Sequence, residues 1–596
     1  IFVHELGHYL CARLAGIRVH VFSLGFGPRL WGFVRGGTDY RISALPLGGF
    51  VQEAGEDPTA AARVQARTGD LVSKSLFARA FFYSGGVIMN VLFALVVFPM
   101  VFRIGVQFDA PVIGAVAAGG PAWEAGLQHG DRIRSINGKD VYSFNNITVE
   151  VALASSLRGV KVQYQRDGAD RECVAHPRYD KAMGIRTLEV RNALEPGPVR
   201  IEVPEGTPAF AAGLRTGDEL VMLEGKHVPS HREFDTVLTT WEEQEPRAGK
   251  RPVKVMVRRG GDSAKPQEFS FQAEPDKRAT PKLGIYLSQR TVQGFRDTPA
   301  TRALQLRRGD RVLFVDGQPF RGGDLKFQES GKTVQLVVQR TDAKQPVELT
   351  AEVPSADRAA LAKDIALVAD PADLLLRPMP ASAAAAAGVR RGDLLRAIGG
   401  KPVTKWEQVI ETVEGAAGKP LVLALVRDSG PFSVTIEPRR EPTLGFRIQV
   451  RDLREAYRVE GLGASIKAGL VASVDMIKQV YVTLRKLFTG EVSTSNLGGI
   501  ITIARVSYMN AQEGLSRLLY FLAVLSINLA VINVLPIPVL DGGHLMFLLI
   551  ERIKGSPVSA RVHSYSQILG MVFVLALLLY VTYNDILKLS WFLSRG

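Results

Sequence analysis

Residues 80–102, AFFYSGGVIMNVLFALVVFPMVF, decide the fold class of this protein. They form 23 uncharged residues between Arg79 and Arg103, and about 20 apolar residues are enough for a helix to cross a hydrocarbon core. Two more uncharged stretches of the same length lie at 518–540 and 562–584. Three such stretches predict a polytopic α-helical membrane protein embedded in a lipid bilayer, rather than a soluble protein with buried helices.

The amino-terminal residues IFVHELGHYLCA are apolar around a polar cluster, and Arg13 follows them. Twelve residues are too few to span a bilayer, and the chain begins with isoleucine. We therefore expect the sequence to begin inside a truncated first transmembrane helix, which gives about four transmembrane helices in all.

The composition of the 596-residue chain excludes several classes of protein. Two cysteines, Cys11 and Cys173, rule out a disulfide framework and an all-cysteine zinc site. The net charge of +14 comes from scattered lysines and arginines without a nucleic-acid-binding motif, so we expect no nucleic-acid partner.

Lysine and arginine in the short loops predict the orientation in the membrane. Residues 12–80 carry nine of these cations against five acids, and residues 551–561 carry three against one. Such loops are cytoplasmic, so the amino-terminal polar cluster should lie near the cytoplasmic side of a bacterial inner membrane. The long segment 103–517 should then be periplasmic.

This long segment contains an internal repeat. Each of four units has a Gly-Asp pair followed by a short apolar strand, a turn dipeptide and a closing strand, and three units also contain a helical stretch. The pairs are spaced by 87, 92 and 83 residues, which predicts a tandem of four small α+β domains. The Gly-Asp pairs lie at 130–131, 217–218, 309–310 and 392–393.

The repeated pattern resembles PDZ domains of the bacterial, protease-associated kind. PDZ domains bind an extended peptide as an added strand and capture its terminal carboxylate, so the resemblance implies peptide C-termini as partners. The third unit departs from the pattern, because 304–306 is LQL instead of Ala-Gly-Leu and 320–330 is too glycine-rich for a groove helix. The alternative is that all four domains are spacers or steric elements without a ligand.

These features divide the chain into ten segments. They are a truncated first transmembrane helix at 1–15, a cytoplasmic loop with a β-hairpin at 16–79, a second transmembrane helix at 80–106, PDZ-like domains at 107–192, 193–282, 283–356 (degenerate) and 357–440, an amphipathic-helix region at 441–517, a third transmembrane segment at 518–550, and a loop with the fourth transmembrane helix at 551–596. The amphipathic helix is predicted over 464–488, on the membrane surface or against the protein.

His4-Glu5-Leu6-Gly7-His8 is an HExxH motif within the apolar amino-terminal stretch. On a helix, His4 and His8 share one face and can bind one zinc ion, while Glu5 lies beside the ion as a general base. Ionisable residues are costly inside a bilayer. A functional role is therefore favoured over the alternative of buried histidines paired with Glu5.

A catalytic zinc site needs a third protein ligand and an open position for water. The apolar stretch 518–540 leads into VLDGGH, and Pro536 and Pro538 prevent a regular helix there. Non-helical backbone at membrane depth must be buried in protein or line a wet cavity, so Asp541 is the expected carboxylate ligand. His544 is the competing candidate, but the two glycines after Asp541 allow a close backbone approach and favour the aspartate.

Substrate-binding residues are expected around this site. Asn528 and Asn533 are amides in an apolar stretch, suited to hydrogen bonding a substrate backbone or, alternatively, to holding helices together. Residues 17–24 roughly alternate, and residues 29–49 predict a β-hairpin with a Gly36-Gly37 turn. An exposed strand edge can hold an unwound substrate, and Gly48 and Gly49 are the contacts predicted there. A purely structural hairpin is the alternative.

HELGH near the start, LPIPVLDGGH near the end and the PDZ-like repeats between them resemble the bacterial PDZ-bearing branch of the site-2 protease family of intramembrane zinc metalloproteases. The resemblance implies His4, His8 and Asp541 as zinc ligands. It also implies Glu5 as the catalytic base, Asn533 as a substrate contact and a membrane-associated hairpin near the active site. SGGVIMN at 84–90 matches a family segment of small residues followed by asparagine.

The resemblance also implies a function, which is hydrolysis of a peptide bond within the transmembrane segment of a single-pass protein. The substrates that it implies are an anti-sigma factor already trimmed on its outer side, or a remnant signal peptide. The PDZ-like domains should then select substrates by size. The alternative function is a catalytically inactive membrane PDZ scaffold or chaperone, whose zinc is structural or absent.

Overall fold

The computed structural model describes residues 1–54, 67–154, 159–244, 252–260, 264–275, 280–380, 382–440, 442–490, 494 and 497–593. Residues 55–66 of the predicted cytoplasmic loop therefore lie outside the described part. The chain forms two compact units. One contains residues 1–108, 179–186 and 455–596, and the other contains residues 109–178 and 187–454.

In the described part of the chain, the first unit has seven α-helices and a long β-hairpin. The helices are α1 (Phe2–Leu14), α2 (Leu76–Ile104), α3 (Leu462–Phe488), α4 (Ile500–Gln512), α5 (Leu515–Val534), α6 (Asp541–Lys554) and α7 (Ala560–Leu593). The hairpin consists of β1 (Val19–Arg35) and β2 (Thr38–Glu53), paired antiparallel. Helices α2, α5 and α7 contain apolar segments long enough to cross a membrane, which matches the three predicted spans.

Helix α2 is the helix against which α1, α3, α5 and α6 pack. Small residues permit the closest crossings, as they do between membrane helices in general. A Cβ atom at Gly7 of α1 would lie 2.2 Å from the carbonyl oxygen of Gly85 in α2. A Cβ at Gly469 of α3 would lie 2.3 Å from the ring of Pro99. The helix predicted to be amphipathic therefore packs against the protein over part of its length.

The predicted span 518–540 is interrupted, as its two prolines predict. Helix α5 ends at Val534, and α6 starts at Asp541 after a non-helical connection. A Cβ atom at Gly542 or Gly543 would lie within 2.4 Å of a carbonyl oxygen in residues 534–537. Both glycines are therefore needed for the tight reversal that places Asp541 at the first turn of α6.

Among the described residues of the second unit, a large hydrophobic core surrounds each of the four Gly-Asp repeats. The first has strands Ile113–Val116, Arg132–Ile136, Lys139–Asp140, Val160–Arg166, Ala169–Ala175 and Val190–Asn192 and helices Pro121–Glu124 and Phe144–Leu153. The second has strands Val199–Glu202, Glu219–Leu223, Lys226–His227, Pro252–Arg258, Gln267–Gln272 and Arg447–Gln449 and helices Pro208–Ala211 and His231–Gln244. The third has strands Gln289–Phe295, Arg311–Val315, Gln318–Pro319, Thr333–Gln339, Val347–Glu352 and Ile365–Ala369 and helices Pro299–Leu304 and Ser355–Lys363. The fourth has strands Ile285–Leu287, Leu376–Pro378, Leu394–Ile398, Lys401–Pro402, Leu421–Arg427 and Gly430–Ile436 and helices Ala383–Ala386 and Trp406–Gly415.

The second, third and fourth cores are nested along the chain, whereas the first core lies before them within residues 113–192. Strand Val199–Glu202 of the second core pairs with Arg447–Gln449, far beyond the predicted range 193–282. Strand Ile285–Leu287 pairs with Leu376–Pro378 and packs in the fourth core, although it was expected in the third domain. The third core is thus inserted into the fourth, and both are inserted into the second. The predicted sequential ranges differ from this arrangement because the closing strand of a repeat need not follow it directly in the chain.

One ion-pair network recurs in all four cores. The aspartate of each Gly-Asp pair is almost fully buried and pairs at 2.6–3.0 Å with an arginine at the end of the central strand. The same arginine also donates to a backbone carbonyl after the short helix of its repeat. The pairs are Asp131–Arg166, Asp218–Arg259, Asp310–Arg340 and Asp393–Arg427. The third repeat keeps this network, and its residues 320–330 contain no helix.

Candidate active site and metal centre

Helix α1 brings the two histidines of the HExxH motif together. His4 and His8 are one turn apart, and their Nε2 atoms lie 3.3 Å from each other. Both side chains are buried, with exposed fractions of 8% and 7%. The helical spacing predicted from the sequence is therefore what aligns these two nitrogens.

Asp541 completes a three-residue cluster with these histidines. Its Oδ2 lies 3.5 Å from Nε2 of His4, and its Oδ1 lies 3.4 Å from Nε2 of His8. One ligand atom from each of the three residues lies within 4.8 Å of the other two. The sequence motifs that provide these residues are more than 500 positions apart, and the packing of α1 and α6 on α2 brings them together.

The cluster fits a zinc ion by its donor set and its dimensions. Two imidazoles and a carboxylate are zinc ligands, and tetrahedral ligands at about 2.05 Å from the ion are about 3.3 Å apart. The observed separations of 3.3–3.5 Å are close to this value. Oδ2 of Asp541 is also buried and accepts no hydrogen bond from any residue that the structure describes, as expected for an atom reserved for a metal.

His544, the competing candidate ligand, has another contact. Its ring stacks on Tyr83 of α2, with ring centroids 4.5 Å apart and an interplanar angle of 7°. It does not belong to the cluster of ligand atoms. The structure therefore places Asp541, and not His544, in the cluster with the two histidines.

Helix α2 shapes the back of the cluster, a role that the sequence does not reveal. The Nδ1–H of His8 can donate to the carbonyl oxygen of Phe82 at 3.0 Å. A Cβ atom at Gly86 would lie 2.3 Å from Cε1 of His4 and 2.5 Å from Nε2 of His8, so only glycine fits there. The signal for these contacts was the SGGVIMN segment, which shows small residues but not their partners.

The two predicted amides behave differently. Asn533, near the end of α5, is buried, and its Nδ2 lies 3.2 Å from Nε2 of His4. Asn528 is only partly buried, and within the described residues its side chain makes no hydrogen bond to the cluster. The structure thus places Asn533 at the site and Asn528 farther along α5.

Strand β2 passes beside the predicted base. A Cβ atom at Gly49 would lie 2.9 Å from Cγ of Glu5, so the hairpin backbone and the carboxylate are neighbours. Gly48 has a φ of +150°, and a Cβ there would lie 2.3 Å from the ring of Phe26 in β1. The turn of the hairpin is Gly36-Gly37, as predicted, with both residues at positive φ.

The fold and the cluster together define a membrane-embedded zinc metalloprotease. The sequence model of peptidase family M50 matches residues 1–577, and the chain belongs to this family. It is an intramembrane protease of the site-2 type, and the comparisons do not favour an inactive scaffold.

Relatives match over almost the whole chain. The "Protease RseP" of Yersinia pestis is 27% identical over 99% of this chain and 96% of its own. The "Regulator of sigma-E protease RseP" of Escherichia coli K12 is 26% identical over the same shares. The "Putative zinc metalloprotease PM1991" of Pasteurella multocida is 24% identical over 98% of this chain and 96% of its own.

Proposed function

We propose that His4, His8 and Asp541 hold the zinc ion and that Glu5 is the general base for peptide hydrolysis. The convergence of the three ligand atoms within 4.8 Å carries this proposal. Zinc held by these residues would supply a Lewis acid for the reaction. Glu5 follows His4 on the same helix, where its carboxylate would take a proton from the attacking water and pass it to the leaving amine.

The backbone beside Glu5 suggests how a substrate is held. Proteases cleave extended chain, so a helical substrate must unwind before it reacts, and an added strand on a sheet edge is a recurrent way to hold such a chain. We assign this role to β2 around Gly48 and Gly49, because Gly49 abuts Glu5. Asn533 would hydrogen-bond the substrate backbone near His4, and Asn528 would contact it farther along α5.

The substrate class follows from the membrane setting of the site. The cluster lies on α1 and in the first turn of α6, and both helices pack on the spanning helix α2. The scissile bond should therefore lie within a transmembrane segment of a single-pass protein. Two relatives are named RseP, and the name of one of them is "Regulator of sigma-E protease RseP". We propose a trimmed anti-sigma factor or a remnant signal peptide as the substrate of this protein as well.

We propose that the four cores of the second unit are PDZ-like domains that limit the size of the substrate. The shared Asp–Arg network supports four copies of one fold, including the degenerate third. In the orientation that the loop charges predict, these domains lie in the periplasm of a bacterial inner membrane and the HExxH motif lies near the cytoplasmic side. Peptide C-termini are the ligands of any repeat with an open groove.

Purified full-length protein with a tagged, trimmed single-pass substrate tests the catalytic assignment. Replacing His4, His8 or Asp541 by alanine should lower bound zinc and abolish cleavage, since each removes a ligand. Glu5→Gln should abolish cleavage and retain zinc, since it removes only the base. His544→Ala is the matched control and should retain zinc. If Asp541→Ala kept zinc and activity while His544→Ala lost both, the third ligand would be misassigned.

A further inference from the structure

The outer nitrogen of each clustered histidine faces a group on α2. Nδ1 of His8 lies 3.0 Å from the carbonyl oxygen of Phe82, and Nδ1 of His4 lies 3.3 Å from the side-chain amide of Asn90. Phe82 and Asn90 are eight residues apart with Gly86 midway between them, so all three share one face of α2. A histidine that binds a metal through Nε2 usually donates Nδ1–H to such a group.

Asn90 is a costly residue for its position. Its exposed fraction is 1%, and it lies within the charge-free segment of a spanning helix, where a polar side chain needs a partner. Its one side-chain hydrogen bond within the described part of the chain is to His4. Its backbone carbonyl accepts separately from the hydroxyl of Ser526 in α5. The His4 imidazole is thus the partner that satisfies this buried amide.

The two amides that flank His4 constrain its tautomer. Asn533 presents its amide to Nε2 at 3.2 Å, and Asn90 presents its amide to Nδ1 at 3.3 Å. A neutral imidazole has one donor and one acceptor nitrogen, so it cannot accept from two amide NH₂ groups. Amide oxygen and nitrogen exchange by a half-turn of the side chain. A lone pair on Nε2 for the metal therefore requires that Asn90 present its oxygen to Nδ1–H.

We propose that Asn90 is a positioning residue for the zinc site, and that it fixes His4 as the Nδ1–H tautomer with Nε2 directed at the ion. The inference depends on the proposed ligand set. Phe82 does the same for His8 through its main chain, and the backbone of Gly86 also hydrogen-bonds the His4 ring. Mutation cannot remove these main-chain groups, so Asn90 is the contact that a side-chain substitution can probe. Loss of such an outer contact typically costs 10- to 100-fold in metal affinity.

The test measures zinc affinity of the full-length protein in detergent by competition with a chelator. Asn90→Ala and Asn90→Leu should bind zinc about 10- to 100-fold more weakly than wild type. Asn90→Asp should stay within a few-fold of wild type, because a carboxylate also accepts Nδ1–H. The Co²⁺-substituted protein should show altered visible absorption bands in the alanine and leucine variants and near-normal bands in the aspartate variant. Ser84→Ala, on the same helix, is the matched control and should match wild type.

The outcomes separate this inference from the ligand assignment. If His4→Ala loses zinc while Asn90→Ala and Asn90→Leu bind it as wild type does, the positioning role is wrong and the ligand set stands. Equal weakening in Asn90→Ala, Asn90→Leu and Asn90→Asp would show a packing effect and also overturn it. If wild type binds no zinc, or His4→Ala keeps full affinity, the ligand set itself is wrong and the role of Asn90 is rejected with it.

Discussion

Gly86 lies so close to the two histidines of the proposed metal centre that a larger residue does not fit there. A methyl group at this position would overlap both imidazoles. Moving α2 away from α1 to make room would open the close packing at Gly7 and Gly85. We expect Gly86→Ala to displace the histidines and to lower zinc affinity and cleavage at least 10-fold, as misplaced ligands do. Bound zinc per protein and cleavage of the trimmed substrate measure this effect.

Gly463→Ala is the control for the alanine substitution itself. Gly463 lies in the helical first turn of α3, where an added Cβ would meet nothing within 4 Å. This variant should retain zinc and activity. Normal zinc affinity in Gly86→Ala would mean that α2 does not confine the histidines in the way that the structure indicates.

Cys173 illustrates a residue whose reactivity is set by its surroundings. Burial, with the charge of Asp131 adding to it, raises the pKa of its thiol to about 11. At pH 8 only about one thiol in a thousand is then ionised, and the thiolate is the reactive form. We expect alkylation of Cys173 by N-ethylmaleimide to be roughly 100-fold slower in the folded protein than after unfolding in urea. Mass spectrometry of the Cys173 peptide over time measures both rates, and equal rates would contradict the prediction.

At the scale of elements, the recurring Asp–Arg pair is a polar link with a buried aspartate in each repeat. Asp310 is 1% exposed and pairs with Arg340, whose side chain is 12% exposed. Breaking such a buried pair by removing one partner costs on the order of 3 kcal/mol. Asp310→Ala should therefore raise hydrogen exchange in strand Thr333–Gln339, which ends beside Arg340.

The same repeat offers a matched control for this prediction. Asp342 pairs with Arg307 on the surface, with side chains 72% and 62% exposed. Exposed pairs contribute about 0–1 kcal/mol, so Asp342→Ala should leave exchange in Thr333–Gln339 nearly unchanged. An equal increase in hydrogen exchange in both variants would show that the buried pair stabilises the strand no more than the exposed pair does.

The sequence predicts the elements that a short stretch of residues determines, but it does not predict which elements pack against each other. The spans follow from uncharged runs, the hairpin from its Gly-Gly turn, and the break before Asp541 from two prolines. HExxH is a local pattern as well, since its spacing is that of one helical turn. By contrast, the contact of Asn90 with His4 and the need for glycine at position 86 depend on how α1 and α2 cross, and no single stretch of sequence encodes that crossing.

At the scale of the whole molecule, the order of the repeats in the sequence does not predict that one repeat is inserted into another. The period of the Gly-Asp pairs identified four repeats, but strand 199–202 finds its partner about 245 residues later in the chain. The second, third and fourth repeats therefore cannot be separated at the boundaries that the period suggests. An inserted repeat can be removed where the residues before and after it lie on neighbouring paired strands, because a short turn can then join the two strands.

Two junctions of this kind among the described residues allow the proposed size selection to be tested in steps. Glu274 and Pro275 pair with Thr443 and Pro442, so residues 276–441 can be replaced by a turn of about four residues. Leu287 pairs with Leu376, so residues 289–373 can be replaced in the same way. The first replacement removes the third and fourth repeats, and the second removes the third alone.

If the repeats exclude substrates by bulk, each removal should admit larger outer domains. We expect all three proteins to bind zinc equally and to cleave the trimmed single-pass substrate. A graded series of folded outer domains fused to that substrate should give a size limit that rises from full length to the 289–373 replacement and again to the 276–441 replacement. Loss of trimmed-substrate cleavage, with zinc binding and membrane insertion intact, would instead mean that the inserted repeats capture the substrate. Removing a purely steric barrier should not impair cleavage of the trimmed substrate, because the barrier never excluded it.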